Sequence, residues 1–77
     1  MNKARRIKID KIIESLENIN TQIEELADEE LESYENMPES LQESERYDAS
    51  VQAEENLRSA FDNMDGVICS LEDAKGE

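Results

Sequence analysis

Between Ile9 and Leu26 the apolar residues fall at Ile9, Ile12, Leu16, Ile19, Ile23 and Leu26. The steps of three and four alternate without a break, which is the heptad seam of a helix packed lengthwise against another. Ile13 and Ala27 widen that seam on one side, as in a bundle rather than a thin two-stranded coil. Beyond Ile23 the stripe can also run through Ala27, Leu31 and Tyr34. In this four-four-three step Glu30 points away and the supercoil relaxes locally. With only two Gly and one Pro in 77 residues, little interrupts long helices. The spacing predicts a first helix over about residues 2–36, roughly 50 Å long at 1.5 Å per residue.

The sequence NMPES then stops it. Pro38 cannot donate the next helical hydrogen bond and biases Met37 away from helical angles. A hinge over about 37–44 follows, with Pro38 opening a short helical turn and Leu41 tucked inward. Ser44 is placed to cap a second helix over about 45–74. Its stripe starts at Tyr47 and Val51, continues through Leu57, Ala60, Phe61 and Met64, and ends with Val67, Ile68, Leu71 and Ala74. Gly66 reads as a tolerated helical glycine in preference to a break. The expected fold class is therefore all-α: a single domain, an antiparallel hairpin with a proline hinge. A hairpin leaves part of each widened stripe wet; pairing into a four-helix bundle, a homodimer, is the simple remedy, and a partner protein covering the same stripe is the alternative.

Charge is distributed unevenly along this frame. The chain carries a formal −13. Residues 1–11 hold five cations and Asp10, a balance of +4, and the remainder holds twenty acids and three cations, a balance of −17. Such a body repels nucleic acid and lipid and attracts basic protein surfaces. Neither direct nucleic-acid binding nor membrane association is expected, and no apolar run is long enough for a membrane span. In an antiparallel hairpin the basic start would lie beside Glu72, Asp73 and Glu77.

Chemistry has few footholds. There is no His, one Cys and no Gly-rich loop, so the usual nucleophile and base pairs cannot be assembled. No catalytic residue, metal site or cofactor is expected. The lone Cys69 excludes an internal disulfide, fits a reducing compartment, and reads as a partly buried packing residue. The segment FDNMDGVICSLE matches several positions of a calcium loop, with Asn63, Asp65 and Glu72 as ligands and Gly66 at the turn. Phe61 stands where the organising Asp belongs, and the run also fits the helical stripe.

The acidic run is the feature left over. Residues 24–45 hold ten carboxylates and no cation. A helix selected for stability alone usually places Lys four residues after Glu, and between residues 12 and 45 this never happens. Glu25, Asp28, Glu29 and Glu32 form a ridge, with Glu24 beside it and Glu35 and Glu39 carrying it to the hinge. Asp48, Glu54, Glu55 and Asp62 supply a second rail from the other helix. The candidate partner-binding residues are Glu24, Glu25, Asp28, Glu29, Glu32, Glu35, Glu39, Asp48 and Glu55. The expected function is non-enzymatic: an acidic surface that stands in for a nucleic-acid backbone. The alternative is a helical interaction or assembly module acting through its apolar stripe.

The stretch YENMPESLQESERYDAS, with acidic heptads on both sides, resembles small acidic two-helix proteins of Firmicutes and their phages. These share a basic MNK start, an N-[ML]-P-E-[SN]-L-Q hinge, a Ser-Glu-Arg step and an acidic second helix. The resemblance covers nearly the whole chain and implies the fold. A looser likeness, in size, charge and helicity, is to phage-borne DNA mimics of the anti-CRISPR and anti-restriction type. It implies a partner that is a basic nucleic-acid-binding protein, such as a CRISPR effector or restriction enzyme, met in the cytoplasm of a bacterial host. The basic first eleven residues depart from a pure mimic.

Overall fold

The computed structural model describes residues 1–76. Two long helices, α1 (Lys3–Glu35) and α2 (Glu45–Lys75), run antiparallel and are joined through a short 3₁₀ turn at Glu39–Leu41. The result is a rod of 60 × 15 × 14 Å. Its radius of gyration of 17.5 Å compares with roughly 11–12 Å for a globule of this length. No described helix is long and apolar enough to cross a membrane.

The helix ends follow local chemistry. The Asn2 side chain accepts a hydrogen bond from the Arg5 N–H at 2.8 Å. Ser44 Oγ accepts one from the Tyr47 N–H at 3.2 Å, so both N-termini have a capping side chain. The hydroxyl of Ser44 also donates to the Leu41 carbonyl at 2.6 Å, tying the cap to the turn. Pro38, with ψ at 146°, precedes the turn as its cap rather than forming its first residue. Leu41 does not tuck inward. It is half exposed, because the turn directs it away from the seam. Edge-to-face packing of Tyr34 on Tyr47, with centroids 5.4 Å apart, closes the hinge end instead. Gly66 sits within an uninterrupted α2 and has open space around it, so FDNMDGVICSLE is helix and forms no loop.

With heptad positions lettered a to g, the seam between the helices is regular throughout. In α1 the a positions are Arg6, Ile13, Asn20, Ala27 and Tyr34, and the d positions are Ile9, Leu16, Ile23 and Glu30. In α2 the a positions are Tyr47, Glu54, Phe61, Ile68 and Lys75, and the d positions are Ser50, Leu57, Met64 and Leu71. Every one of these residues is buried or half-buried. The seam therefore takes only half of the stripe read from the sequence. Ile9, Leu16 and Ile23 line it, whereas Ile12, Ile19 and Leu26 occupy g and stay 48%, 45% and 51% exposed. The expected stutter is absent as well: Glu30 follows Ala27 into the seam, where its Oε2 is buried and unpartnered.

The core that results is thin. Ile13 and Ala27 are the only buried apolar residues among those described, and Asn20 is buried with them. Asn20 Nδ2 donates to the Phe61 carbonyl at 3.3 Å, while its Oδ1 has no partner. A buried Asn at an a position disfavours other registers because a slip strands its amide, at some expense of stability. Complete burial of a large aliphatic side chain contributes about 1.5–3 kcal/mol. The three exposed g residues forgo much of this in the lone hairpin.

Candidate functional site: an acidic face and an apolar face

An antiparallel pair of heptad helices has two unlike flanks, because e faces e and g faces g across the seam. The e flank is marked by ion pairs between the helices. Arg58 Nη2 at an e position reaches Asp28 Oδ1 at 2.9 Å, and Lys75 Nζ reaches Asp10 Oδ1 at 2.8 Å. The adjoining b positions extend this flank outward. On α1 it carries Asp10, Glu14, Glu17, Glu24, Asp28 and Glu35, and on α2 Asp48, Glu55, Asp62, Asp65 and Glu72. Lys3 and Arg58 are the cations at e and b positions.

The predicted partner-binding residues divide over this geometry. Glu24, Asp28, Glu35, Asp48 and Glu55 share the e and b face. Glu25 and Glu32 lie at f on the back of α1, Glu29 lies at c beside the opposite flank, and Glu39 is in the turn. Two corrections apply to the rails. Asp28 is not free of counter-charge, because Arg58 bridges it to the other helix. Glu54 is not on the second rail but at an a position in the seam, its side chain only 14% exposed. There its Oε2 accepts from Arg58 Nε at 2.7 Å and its Oε1 from the Tyr34 hydroxyl at 2.8 Å.

This small network shifts protonation. The Arg58 hydrogen bond, then that from Tyr34, holds the Glu54 carboxyl below its usual range. The Tyr34 phenol, bonded to the carboxylate and next to its charge, is pushed up to about 12. The hydrogen bonds that Arg58 donates to Glu54 and Asp28 raise it, and the bond to Asp10 raises Lys75.

No protein-family model, curated protein or solved structure matches the chain. Its surfaces must therefore be read from their own chemistry.

The g flank is the opposite of the e flank. Ile12, Ile19 and Leu26 from α1 lie beside Ala53, Ala60, Val67 and Ala74 from α2, and Val67 is 49% exposed. The c positions that border the row are Ser15 and Gln22 on α1, and Ala49, Asn56, Asn63 and Ser70 on α2. No charged residue occupies g or c over residues 12–28 of α1 or 47–75 of α2, in a chain that is 38% charged. This uncharged strip was missed at the sequence level because its residues were assigned to the seam. Its signal is the seven-residue recurrence of Ile12, Ile19 and Leu26 beside a second apolar phase.

Two further expectations are corrected. Cys69 is exposed rather than partly buried, because it falls at b and not on the stripe. Among the described residues, the ion pair that ties the two helices at the open end is Lys75 with Asp10, a cation from α2 and an acid from α1. The basic start makes no ion pair with Glu72 or Asp73: the contact at this end runs the other way, with Lys75 of α2 reaching Asp10, and Asp73 lies at f on the outer side of α2. Glu77 lies outside the described residues.

Proposed function

We propose that this chain is a non-enzymatic acidic inhibitor that occupies the nucleic-acid-binding surface of a basic partner protein. The supporting observation is the e and b face. Its eleven carboxylates spread over roughly 40 Å of rod, about one per 3.5 Å, close to the 3.4 Å phosphate spacing of one DNA strand. Arg58 and Lys75 offset two of them and leave the remainder for a partner. On the likeness to phage-borne mimics, the partner class is a host defence enzyme such as a CRISPR effector or a restriction enzyme, inhibited in the bacterial cytoplasm.

The test is a pull-down from bacterial lysate at low and high salt, followed by displacement of nucleic acid from the captured protein. Capture at low salt, loss at high salt and displacement of the nucleic acid are expected. Neutralising the face by Glu24→Gln, Glu35→Gln, Asp48→Asn and Glu55→Gln should abolish capture while leaving helicity intact. Unaltered inhibition by that variant would falsify the proposal.

A second reading, an assembly module acting through its apolar residues, is favoured by the half-exposed row Ile12, Ile19, Leu26 and Val67. Association through that row is insensitive to salt, which separates the two readings. The faces lie on opposite flanks, so one molecule can use both.

A further inference from the structure

We infer that the uncharged g and c strip is the contact surface for a second copy of this chain, and that the two hairpins pack head to tail. Three independent features identify the occupant and its orientation.

The first is the composition of the strip. Contact surfaces between proteins lose charge at their centre, and this strip has none over its central length although the chain carries 21 acids and 8 cations. An acidic chain seeking a basic partner would place carboxylates there. A copy of itself, also strongly acidic, can be met only through a surface from which charge is missing.

The second is extent. From residue 53 to residue 74 the α2 row runs roughly 30 Å, and two adjacent helices present about 20 Å of width. That gives roughly 600 Å² per copy, or about 1,200 Å² in total, the lower bound of stable specific interfaces. A dimer would cover Ile12, Ile19, Leu26 and Val67 together and give the thin hairpin a bundle core.

The third is charge along α1, which sets the orientation. This helix has no acid in its first turn and no base in its last, so both ends oppose the helix dipole. By contrast, α2 has Glu45 and Asp48 in its first turn and Lys75 in its last. Two hairpins facing each other through the strip can be related by a two-fold axis along the rod or across it. The first choice stacks the two acidic hinge ends on each other. The second lays α1 antiparallel on α1 of the other copy. With the axis at the level of Ile19, residue 12 meets residue 26 of the second copy. Arg5 and Lys8 then come alongside Glu29 and Ser33 of the second copy, with Glu32 near. Basic start and acidic end neutralise each other twice.

The experiment uses the full chain. Sedimentation equilibrium should give the mass of two 8.8 kDa chains, little changed by salt. Ile19→Asp enters a symmetric interface twice, and dimerisation should weaken by roughly 100-fold or more. Ile7→Asp, at an equally exposed apolar residue on the opposite flank, should leave the dimer intact. A monomeric wild-type chain, or an Ile19→Asp chain that remains dimeric, overturns the assignment. Orientation is read without disrupting the fold by placing Ile19→Cys in a Cys69→Ser background. Head-to-tail packing brings the two new thiols together at the axis, so mild oxidation should link the dimer covalently. Failure of that link, while mixed Ile19→Cys and Ala60→Cys chains do join, overturns the head-to-tail arrangement.

Discussion

The two flanks of one hairpin differ more than its two helices do. Along the e and b flank, carboxylates follow one another for most of the rod, relieved mainly by Arg58 and Lys75. Along the g and c flank, aliphatic and small uncharged side chains follow one another for a similar length. Both flanks border the same seam, so neither composition is a by-product of making the hairpin. Uniform acidity serving solubility alone would have charged both. The segregated pattern supports a separate role for each flank: the proposed basic partner on one side, the proposed second copy of the chain on the other.

The most disruptive way to probe this contrast is to break the seam that keeps the flanks apart. Ala27 has no exposed surface. Ala27→Glu would place an unpartnered charge between the helices and should cost about 3 kcal/mol or more, seen as loss of far-ultraviolet circular dichroism. The same change one residue earlier, Leu26→Glu, should leave the hairpin helical and remove only the dimer. Equal damage from both would mean that seam and strip are not distinct.

Asn20 tests whether the register is set by the seam. Replacing it by Leu removes a buried amide with an orphaned oxygen and should stabilise the chain by about 1–2 kcal/mol in urea melts. The helix pair should also become less unique, visible as doubled or broadened amide resonances. A destabilised variant would mean that the 3.3 Å bond to the Phe61 carbonyl outweighs the orphaned atom.

Salt should act oppositely on the two kinds of contact. Raising ionic strength from about 0.01 to about 0.15 M shortens the screening length from about 30 to about 8 Å. Relief of self-repulsion in a chain of formal charge −13 should raise the urea midpoint, whereas capture by a basic partner should weaken. A parallel fall of both would remove the acidic flank's claim to a partner.

Smaller effects come from the network at the hinge end. In a Tyr47→Phe background the absorbance at 295 nm should report Tyr34 alone, with an expected midpoint raised to about 12. Adding Glu54→Gln should return it toward 10. The linkage has a definite sign. The Tyr34 value is raised in the folded state, so its contribution to stability is whole below pH 10 and is lost as pH rises to about 12. Glu54 is lowered, so its contribution is present above the ordinary carboxylate value and is lost as pH falls through the folded one. The smallest change is expected from Asp28→Asn. Its bond to Arg58 joins two solvent-exposed groups, and the urea midpoint should stay where it is.

Local spacing and local chemistry determined most of the fold: two long helices from steps of three and four, a cap at Ser44, a stop at Pro38. They also determined that the chain is acidic beyond any need for helix formation, since Glu is followed by no Lys over more than thirty residues. A single helix cannot specify which edge of its apolar arc meets its neighbour. Around α1 that arc spans a, d and g, centred on d, and periodicity alone treats a and g as equals. Packing against α2 chose a, where Ala27 lets the backbones approach closely and Asn20 reaches the Phe61 carbonyl. The larger Ile12, Ile19 and Leu26 were left outside. The same choice took Glu54 out of the acidic rail into the seam, gave Asp28 a counter-ion, and separated Glu25, Glu29 and Glu32 from Asp48 and Glu55. These outcomes depend on what the second helix presents at each level, which only the paired structure contains.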